Sequence, residues 1–157
     1  MIKPGVKEII GENPMKHWEH NKIVCKLEIK DPNFRIQNKK IESTNKNIKD
    51  YEMHISELLR LKVIRKSISR HRSPAFIVKK HSEQVRGESR MVINYRRLND
   101  NTIDDGYDIP DKSELINDIQ ESKIFSKFDC KSGFWQIKIH PDSIEWTAFI
   151  CPLGHYE

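Results

Sequence analysis

Two runs of β-forming residues separated by a polar stretch constrain the fold of this 157-residue chain more than any other feature. The runs AFIVKK (75–80) and RMVINY (90–95) are rich in β-branched and aromatic side chains, and the segment between them, HSEQVRGE (81–88), is polar and contains a glycine. This pattern predicts an antiparallel hairpin with a long tip. Basic residues lie at or near the strand ends that face the tip: Lys79, Lys80, Arg86 and Arg90.

The rest of the chain alternates between helical and β-type patterns. Apolar residues recur at helical spacing over 46–61, which predicts an amphipathic helix, and Asp111 provides the N-cap of a second, shorter helix. Short apolar runs predict further strands at 24–29, 124–129, 134–139 and 147–150. Together these elements predict the α+β class. Residues 1–45 are weakly patterned and contain several prolines and glycines, so we expect them to form an arm or connector.

Charge is unevenly distributed along the chain, whose formal net charge is +5. Between Arg60 and Arg97 basic residues outnumber acidic ones by 12 to 2, whereas from Leu98 to Glu157 acidic residues outnumber basic ones by 12 to 5. A basic middle beside an acidic end suggests a polyanionic partner for the first part and cations for the second. Two solvated faces whose charges balance would give the same pattern.

Cysteine usage and hydropathy bear on the compartment. The three cysteines, Cys25, Cys130 and Cys151, are odd in number and widely spaced. This spacing argues against a disulfide framework or a structural zinc site and for a reducing compartment. The sequence contains no run of about 18 apolar residues, so it predicts no membrane span. We therefore expect a cytoplasmic location.

One acidic residue, Asp129, occupies a position where functional groups are common. It lies in the segment FSKFDCKSGFWQ (125–136), where it ends a predicted strand. A hard cation would stabilise the ionised carboxylate, and the carbonyl of Cys130 would add a further oxygen. Gly133 would let the backbone approach a ligand closely, and Phe134 would present a flat ring beside it. An N-cap or turn aspartate followed by core aromatic residues explains the same segment without a ligand.

Two other charged pairs have both a functional and a structural interpretation. Asp104 and Asp105 precede Gly106, and adjacent residues on an extended chain point to opposite faces, so we interpret them as part of an ordinary turn. Lys80 and Arg90 stand on facing strand ends and could converge on a triphosphate. A charged hairpin edge that resists aggregation would also carry such residues.

Four longer segments resemble the N-terminal half of reverse transcriptase domains, and most closely those of plant pararetroviruses of the badnavirus and caulimovirus type. The segments are SPAFIVKK (73–80), SRMVINYRRLND (89–100), FSKFDCKSGFWQ (125–136) and TAFICPLGHYE (147–157). The resemblance implies a fingers hairpin plus an incomplete palm of a right-hand polymerase over 46–157. It also implies that 1–45 connects the polymerase to a preceding viral protease.

The resemblance implies roles for single residues. Asp129 matches the catalytic, metal-binding aspartate, and the backbone carbonyl of Cys130 matches a main-chain metal ligand. Two Mg²⁺ ions, a dNTP and an RNA or DNA template-primer are the implied cofactors and partners of the complete enzyme. Phe134 matches the bulky residue that lies under the nucleotide sugar and disfavours a 2′-hydroxyl. The implied nucleotide-binding residues are Lys80, Arg90, Cys130, Ser132, Gly133 and Phe134.

The second palm motif of the family, Tyr-x-Asp-Asp, does not occur in the 157 residues. Asp129 alone would not hold two Mg²⁺ ions, so we expect this polypeptide by itself to lack polymerase activity. The alternative function is a non-enzymatic, basic nucleic-acid-binding remnant of an endogenous viral element, whose affinity would depend on salt. The sequence leaves the oligomeric state open.

Overall fold

The computed structural model describes residues 13, 15, 18, 22–39, 45–79, 89–127, 129–130 and 132–157. Lys80 and the tip of the predicted hairpin, 81–88, lie outside this part of the chain. The chain divides into two compact units. The larger unit contains Ile23–Ile103 and Lys138–Glu157, and the smaller unit contains Met1–Lys22 and Asp104–Ile137.

A four-stranded sheet forms the centre of the larger unit. Its strands are β2 (Ser73–Val78), β3 (Arg90–Ile93), β5 (Phe149–Cys151) and β6 (Gly154–Tyr156). Their order is β3-β2-β5-β6. Strand β2 is antiparallel to β3 and parallel to β5, and β5 is antiparallel to β6. The predicted hairpin and the predicted strand near 147–150 are therefore confirmed.

The amphipathic helix predicted over 46–61 is also confirmed, as α1 (Asn45–Arg60). Its residues Tyr51 and Ile55 are four apart and therefore lie on one face, where both are buried. The Tyr51 hydroxyl donates a hydrogen bond of 3.0 Å to the Ala75 carbonyl. The helix thus covers the sheet, and the buried residues of this core are Tyr51, Ile55, Ala75, Phe149, Cys151 and Tyr156.

Residues 23–39, which we call the N-terminal strap, belong to the larger unit and contact its other segments at several points. Ile36 is fully buried with Leu98 and Trp146 in a second core. Leu98 belongs to α2 (Arg96–Asp100), and Trp146 follows α4 (Pro141–Ile144) in a short 3-10 turn, Glu145–Thr147. The strap joins segments that are distant in sequence.

Backbone hydrogen bonds fix the strap at several points. The Lys30 N–H donates to the Asn101 carbonyl (2.8 Å), and the Arg72 N–H donates to the Ile36 carbonyl (2.7 Å). The strand predicted over 24–29 is shorter than expected: β1 spans Val24–Cys25 and pairs in parallel with β4 (Lys138–Ile139). Beyond this ladder, the Leu27 N–H donates to the hydroxyl of Ser143 (2.9 Å).

The smaller unit contains the second predicted helix, α3 (Lys112–Asp118). The Asp111 side chain accepts a hydrogen bond from the Ser113 N–H (2.7 Å), which confirms Asp111 as its N-cap. The apolar residues of this helix and its C-cap are about half-exposed: Leu115 50%, Ile116 48% and Ile119 46%. Within the described ranges, no helix is both long enough and apolar enough to cross a bilayer.

The strand prediction at 124–129 is wrong. The described residues of this run have neither helix nor strand structure, and Ile124 and Phe125 are 89% and 64% exposed. A strand needs a hydrogen-bonding neighbour, and this run has no strand partner among the described residues. The strand predicted at 134–139 is also largely wrong, because Gly133–Gln136 forms a 3-10 turn and only Lys138–Ile139 is a strand.

Acidification is expected to weaken the larger unit through His71. Its ring is fully buried and stacks on Trp146 with centroids 4.0 Å apart. Burial is the main cause that lowers the pKa of His71 below 6.5, and the charge of Arg70 adds to it. Folding therefore favours the neutral ring. Its contribution to stability is complete above about pH 6.5 and is lost as the pH falls below that value towards the lower pKa of the folded state.

This prediction is tested by urea unfolding at about pH 7.5 and about pH 5.5. We expect the midpoint to fall at the lower pH, and the fall to shrink in the His71→Gln variant. The His140→Gln variant is the control, because the His140 side chain is 37% exposed. A fall that is the same in wild type and His71→Gln would contradict the prediction.

Candidate nucleotide and metal site

Arg90 stands at the end of the hairpin nearest to the tip. It is the first residue of β3, is exposed, and pairs with Val78, the last residue of β2. The predicted partner of Arg90, Lys80, lies outside the described residues. Ser73 and Pro74 of β2 pair with β5, whereas from Ala75 to Val78 the strand pairs with β3 alone among the described residues.

Four polar side chains connect α1 to this end of the hairpin, and we call them the hairpin anchor: Asp50, His54, Lys79 and Ser89. Asp50 forms an ion pair with Lys79, and both side chains are largely buried, at 21% and 25% exposure. His54 Nε2 lies 3.1 Å from Ser89 Oγ. Lys79, through its hydrogen bond, is the largest cause that holds the pKa of Asp50 below its usual value of 3.8, and the Ser89 hydroxyl contributes in the same direction. Asp50 therefore stays ionised at neutral pH.

Sequence reasoning did not identify the hairpin anchor. A signal was available, because Asp50 and His54 are four residues apart and so share one face of the helix. The partners Lys79 and Ser89 are separated from them by at least 25 positions, and only the fold brings them together.

Asp129 and Cys130 lie in the smaller unit, in a segment without helix or strand, and both are exposed. A carboxylate and a peptide carbonyl are hard oxygen donors of the kind that Mg²⁺ prefers, so the two residues fit one part of a magnesium site. Among the described residues, no group of three or more His, Cys, Asp or Glu side chains is arranged to hold a metal.

A tight turn follows Asp129. Ser132 adopts a left-handed conformation (φ 50°, ψ 49°), and its carbonyl accepts a hydrogen bond from the Trp135 N–H (2.8 Å). Gly133 lies close to Cys130, since a Cβ added to the glycine would meet the Cβ of Cys130 at 3.4 Å, which is an ordinary van der Waals contact. This geometry brings Cys130, Ser132, Gly133 and the start of Phe134 into one short turn.

Phe134 points into solvent and is 99% exposed. Phe134 directly follows the turn, so its exposed ring is accessible to a ligand bound there. Trp135, the next residue, is half-buried. Its backbone carbonyl accepts a hydrogen bond of 2.6 Å from the Trp18 indole N–H. Of the two aromatic residues, Phe134 is thus the one available to a ligand.

Asp104 and Asp105 bond to the backbone two residues further on, as aspartates in turns do, although the segment 103–110 has no assigned turn. Asp104 Oδ1 accepts a hydrogen bond from the Gly106 N–H (3.4 Å), and Asp105 Oδ1 accepts one from the Tyr107 N–H (3.0 Å). Gly106 has a positive φ of 66°, which glycine adopts without strain. Each carboxylate therefore stabilises the local backbone.

Comparison with known proteins identifies relatives for almost the whole chain. A family model described as reverse transcriptase (RNA-dependent DNA polymerase) matches residues 77–156. The chain is 41% identical over 161 residues to the enzymatic polyprotein of Cauliflower mosaic virus (strain CM-1841), covering 99% of this chain and 23% of the polyprotein. It is 44% identical over 156 residues to polyprotein P3 of Commelina yellow mottle virus, covering 94% of this chain and 8% of that protein. The chain thus spans less than a quarter of these relatives.

Solved structures of foamy virus protease-reverse transcriptases share the fold. The prototype foamy virus protein matches with a TM-score of 0.70 and 23% identity, over 97% of this chain and 21% of the other. A foamy viral protein solved in complex with double-stranded DNA matches with a TM-score of 0.58 and 21% identity, over 94% of this chain and 28% of the other. These likenesses confirm the α+β class and the right-hand polymerase fold.

Proposed function

The chain belongs to the reverse transcriptase (RNA-dependent DNA polymerase) family, and we propose that it supplies the nucleotide-binding hairpin and one metal-binding aspartate of such a polymerase. The observation that carries the proposal is the extent of the family match. It runs from 77 to 156 and so includes both Arg90 and Asp129, the two groups with opposite charge that nucleotidyl transfer would use.

Asp129 is the proposed metal ligand, with the Cys130 carbonyl as a second oxygen donor. Mg²⁺, when bound, would neutralise phosphate charge and favour the ionised form of a primer hydroxyl. The exposed position of the Asp129 carboxylate suits this role, because Mg²⁺ retains several waters and is commonly bound by one or two carboxylates together with substrate phosphates. A complete two-metal site needs carboxylates besides Asp129.

Lys80 and Arg90 are the proposed triphosphate contacts. Arg90 offers a planar fork of donors that matches phosphate oxygens, and lysine acts as a point charge. Neither residue needs to change its charge during the reaction. Both would bind and orient the triphosphate, which lowers the barrier by holding the reacting atoms in place.

The turn after Asp129 is proposed to receive the nucleoside part of the dNTP. Gly133 and the backbone of Ser132 leave space for close approach, and the exposed ring of Phe134 would lie under the sugar. A bulky ring in that place would disfavour a 2′-hydroxyl and so select deoxynucleotides over ribonucleotides.

An RNA or DNA template-primer is the proposed macromolecular partner. A foamy viral relative of this fold was solved in complex with double-stranded DNA. In this chain, the excess of basic residues between Arg60 and Arg97 would provide the favourable charge for a nucleic-acid backbone. Such binding should weaken steeply as salt rises.

We infer that the 157-residue polypeptide does not extend primers by itself, because Tyr-x-Asp-Asp carboxylates are not among its residues. A primer-extension assay on poly(rA)–oligo(dT) with Mg²⁺ should give no product above background. Filter binding of the same template-primer at low and high salt should give an affinity that falls with salt.

The outcomes of this assay separate the functions. Extension by the isolated polypeptide would contradict the inactivity of the fragment. Salt-dependent binding without any response to dNTP would favour the alternative, a non-enzymatic nucleic-acid-binding remnant. No binding of template-primer at low salt would count against both.

A further inference from the structure

The hairpin needs support near its tip because this part of it is a two-stranded ribbon. Among the residues that the structure describes, β2 beyond Pro74 pairs with β3 alone, and β3 is the edge strand of the sheet. A ribbon of two strands is only marginally stable in water unless another element packs against it. Here α1 provides that element: Tyr51 bonds to Ala75 within the ribbon, and the hairpin anchor holds the ribbon's end.

The anchor holds both strands immediately next to the proposed triphosphate contacts. Lys79 directly precedes Lys80 in the chain, and Ser89 directly precedes Arg90. The last pair of the described ladder joins Val78 to Arg90. Asp50 and His54 therefore contact the two residues that directly precede the proposed triphosphate contacts.

We propose that Asp50 and His54 are positioning residues, which fix the end of the hairpin so that Arg90, the first residue of β3, is presented to a nucleotide triphosphate. This inference rests on the proposed function of the hairpin. It adds residues of α1 that themselves touch no nucleotide and act through Lys79 and Ser89.

The ion pair also separates the roles of two adjacent lysines. Lys79 is held by the carboxylate of Asp50 and is largely buried with it. A charge-assisted bond in a partly buried place is stronger than an exposed ion pair and keeps its geometry better. Lys79 thus has a structural role in the ion pair. Its neighbour Lys80 remains the proposed contact to the triphosphate.

Hydrogen exchange of the 157-residue chain, followed by mass spectrometry, tests the anchor. We expect the Asp50→Asn variant to exchange about tenfold faster in peptides covering 75–78 and 90–93, because one charge-assisted bond is weakened. Peptides covering 149–156 should be unchanged. Asp50→Glu should restore the wild-type rates, since it keeps the charge. Glu57→Gln is the matched control, because Glu57 lies on the same helix and pairs with Arg60 instead of the hairpin.

In the second measurement, the wild type, the same variants and Lys80→Ala are titrated with Mg–dTTP. The response is the protection of the hairpin peptides from hydrogen exchange. Lys80→Ala should abolish the response, and Asp50→Asn should weaken the apparent affinity several-fold, with recovery in Asp50→Glu. A merely stabilising residue would accelerate exchange throughout the larger unit and would not change the affinity of the folded protein.

Each contrary result has a defined meaning. Unchanged exchange in Asp50→Asn, or equal acceleration across the larger unit, overturns the anchor. A wild-type response that Lys80→Ala removes but Asp50→Asn leaves intact overturns the positioning role while the proposed function stands. No response of wild type to nucleotide counts against the proposed function, and the positioning role fails with it.

Discussion

The Asp129→Asn substitution is expected to abolish primer extension in a polymerase that carries this chain. A suitable polymerase is the Cauliflower mosaic virus enzymatic polyprotein in which the matching stretch, 41% identical to this chain, is replaced by the 157 residues. Asparagine has the size of aspartate but lacks its charge, so it would weaken Mg²⁺ binding where the triphosphate reacts. A loss of roughly a thousandfold or more in extension rate is expected if Asp129 is an essential metal ligand.

The unsubstituted chimera is the reference for this prediction, and Asp104→Asn is the matched control. Asp104 is also an exposed aspartate, but its carboxylate stabilises the local backbone. The control should therefore extend primers at nearly the reference rate. Template-primer affinity at fixed salt should be similar in all three proteins, because Asp129 is proposed to act on the nucleotide and not on the duplex. Retention of more than about a tenth of the activity by Asp129→Asn would remove Asp129 from the metal site.

The hairpin and α1 could be predicted from sequence because their signals are local. AFIV and RMVI contain the β-branched residues that suit a half-buried sheet, and each strand finds its partner within a short distance in the chain. The helical spacing of Tyr51 and Ile55 likewise identified the buried face of α1. When a strand and its pairing partner lie close together in the sequence, the β-propensity of the residues and the strand pairing of the fold agree.

The run at 124–129 had the same kind of signal but not the same result. Ile124 and Phe125 favour a strand by composition, yet they are exposed and unpaired in the sheet. Composition measures how well side chains fit a pleated surface, and it does not supply the neighbouring strand that completes the hydrogen bonds. The proposed role of Asp129 rests on its sequence segment, whereas the local structure around it could not be predicted from that segment.

The N-terminal strap was not predicted for a different reason. Its buried residue Ile36 packs against Trp146, more than a hundred positions away, and its backbone bonds to Arg72 and Asn101. None of these contacts has a periodic signature, because the strap is nearly all irregular structure. The ion pair of Asp50 and Lys79 could not be predicted from the sequence either, because aspartate and lysine are both expected on a surface.

The Phe149→Ala substitution is expected to destabilise the larger unit strongly. Phe149 is 1% exposed, and its ring centroid lies 5.9 Å from that of Tyr156. Removing a buried phenyl ring costs about 3 to 5 kcal/mol, through lost burial and the cavity that remains. Because domains of this size are stable by only about 5 to 15 kcal/mol, this loss removes a large fraction of the free energy of unfolding.

Urea unfolding followed by tryptophan fluorescence measures this effect, because Trp146 is buried in the same unit. Ile68→Ala is the control: Ile68 is also apolar and in the larger unit but fully exposed, so its loss should change the free energy of unfolding by less than about 0.5 kcal/mol. A cost below about 1 kcal/mol for Phe149→Ala would mean that the core between α1 and the sheet is not packed in the isolated chain. The hairpin would then lack the rigid support that nucleotide binding by Lys80 and Arg90 requires.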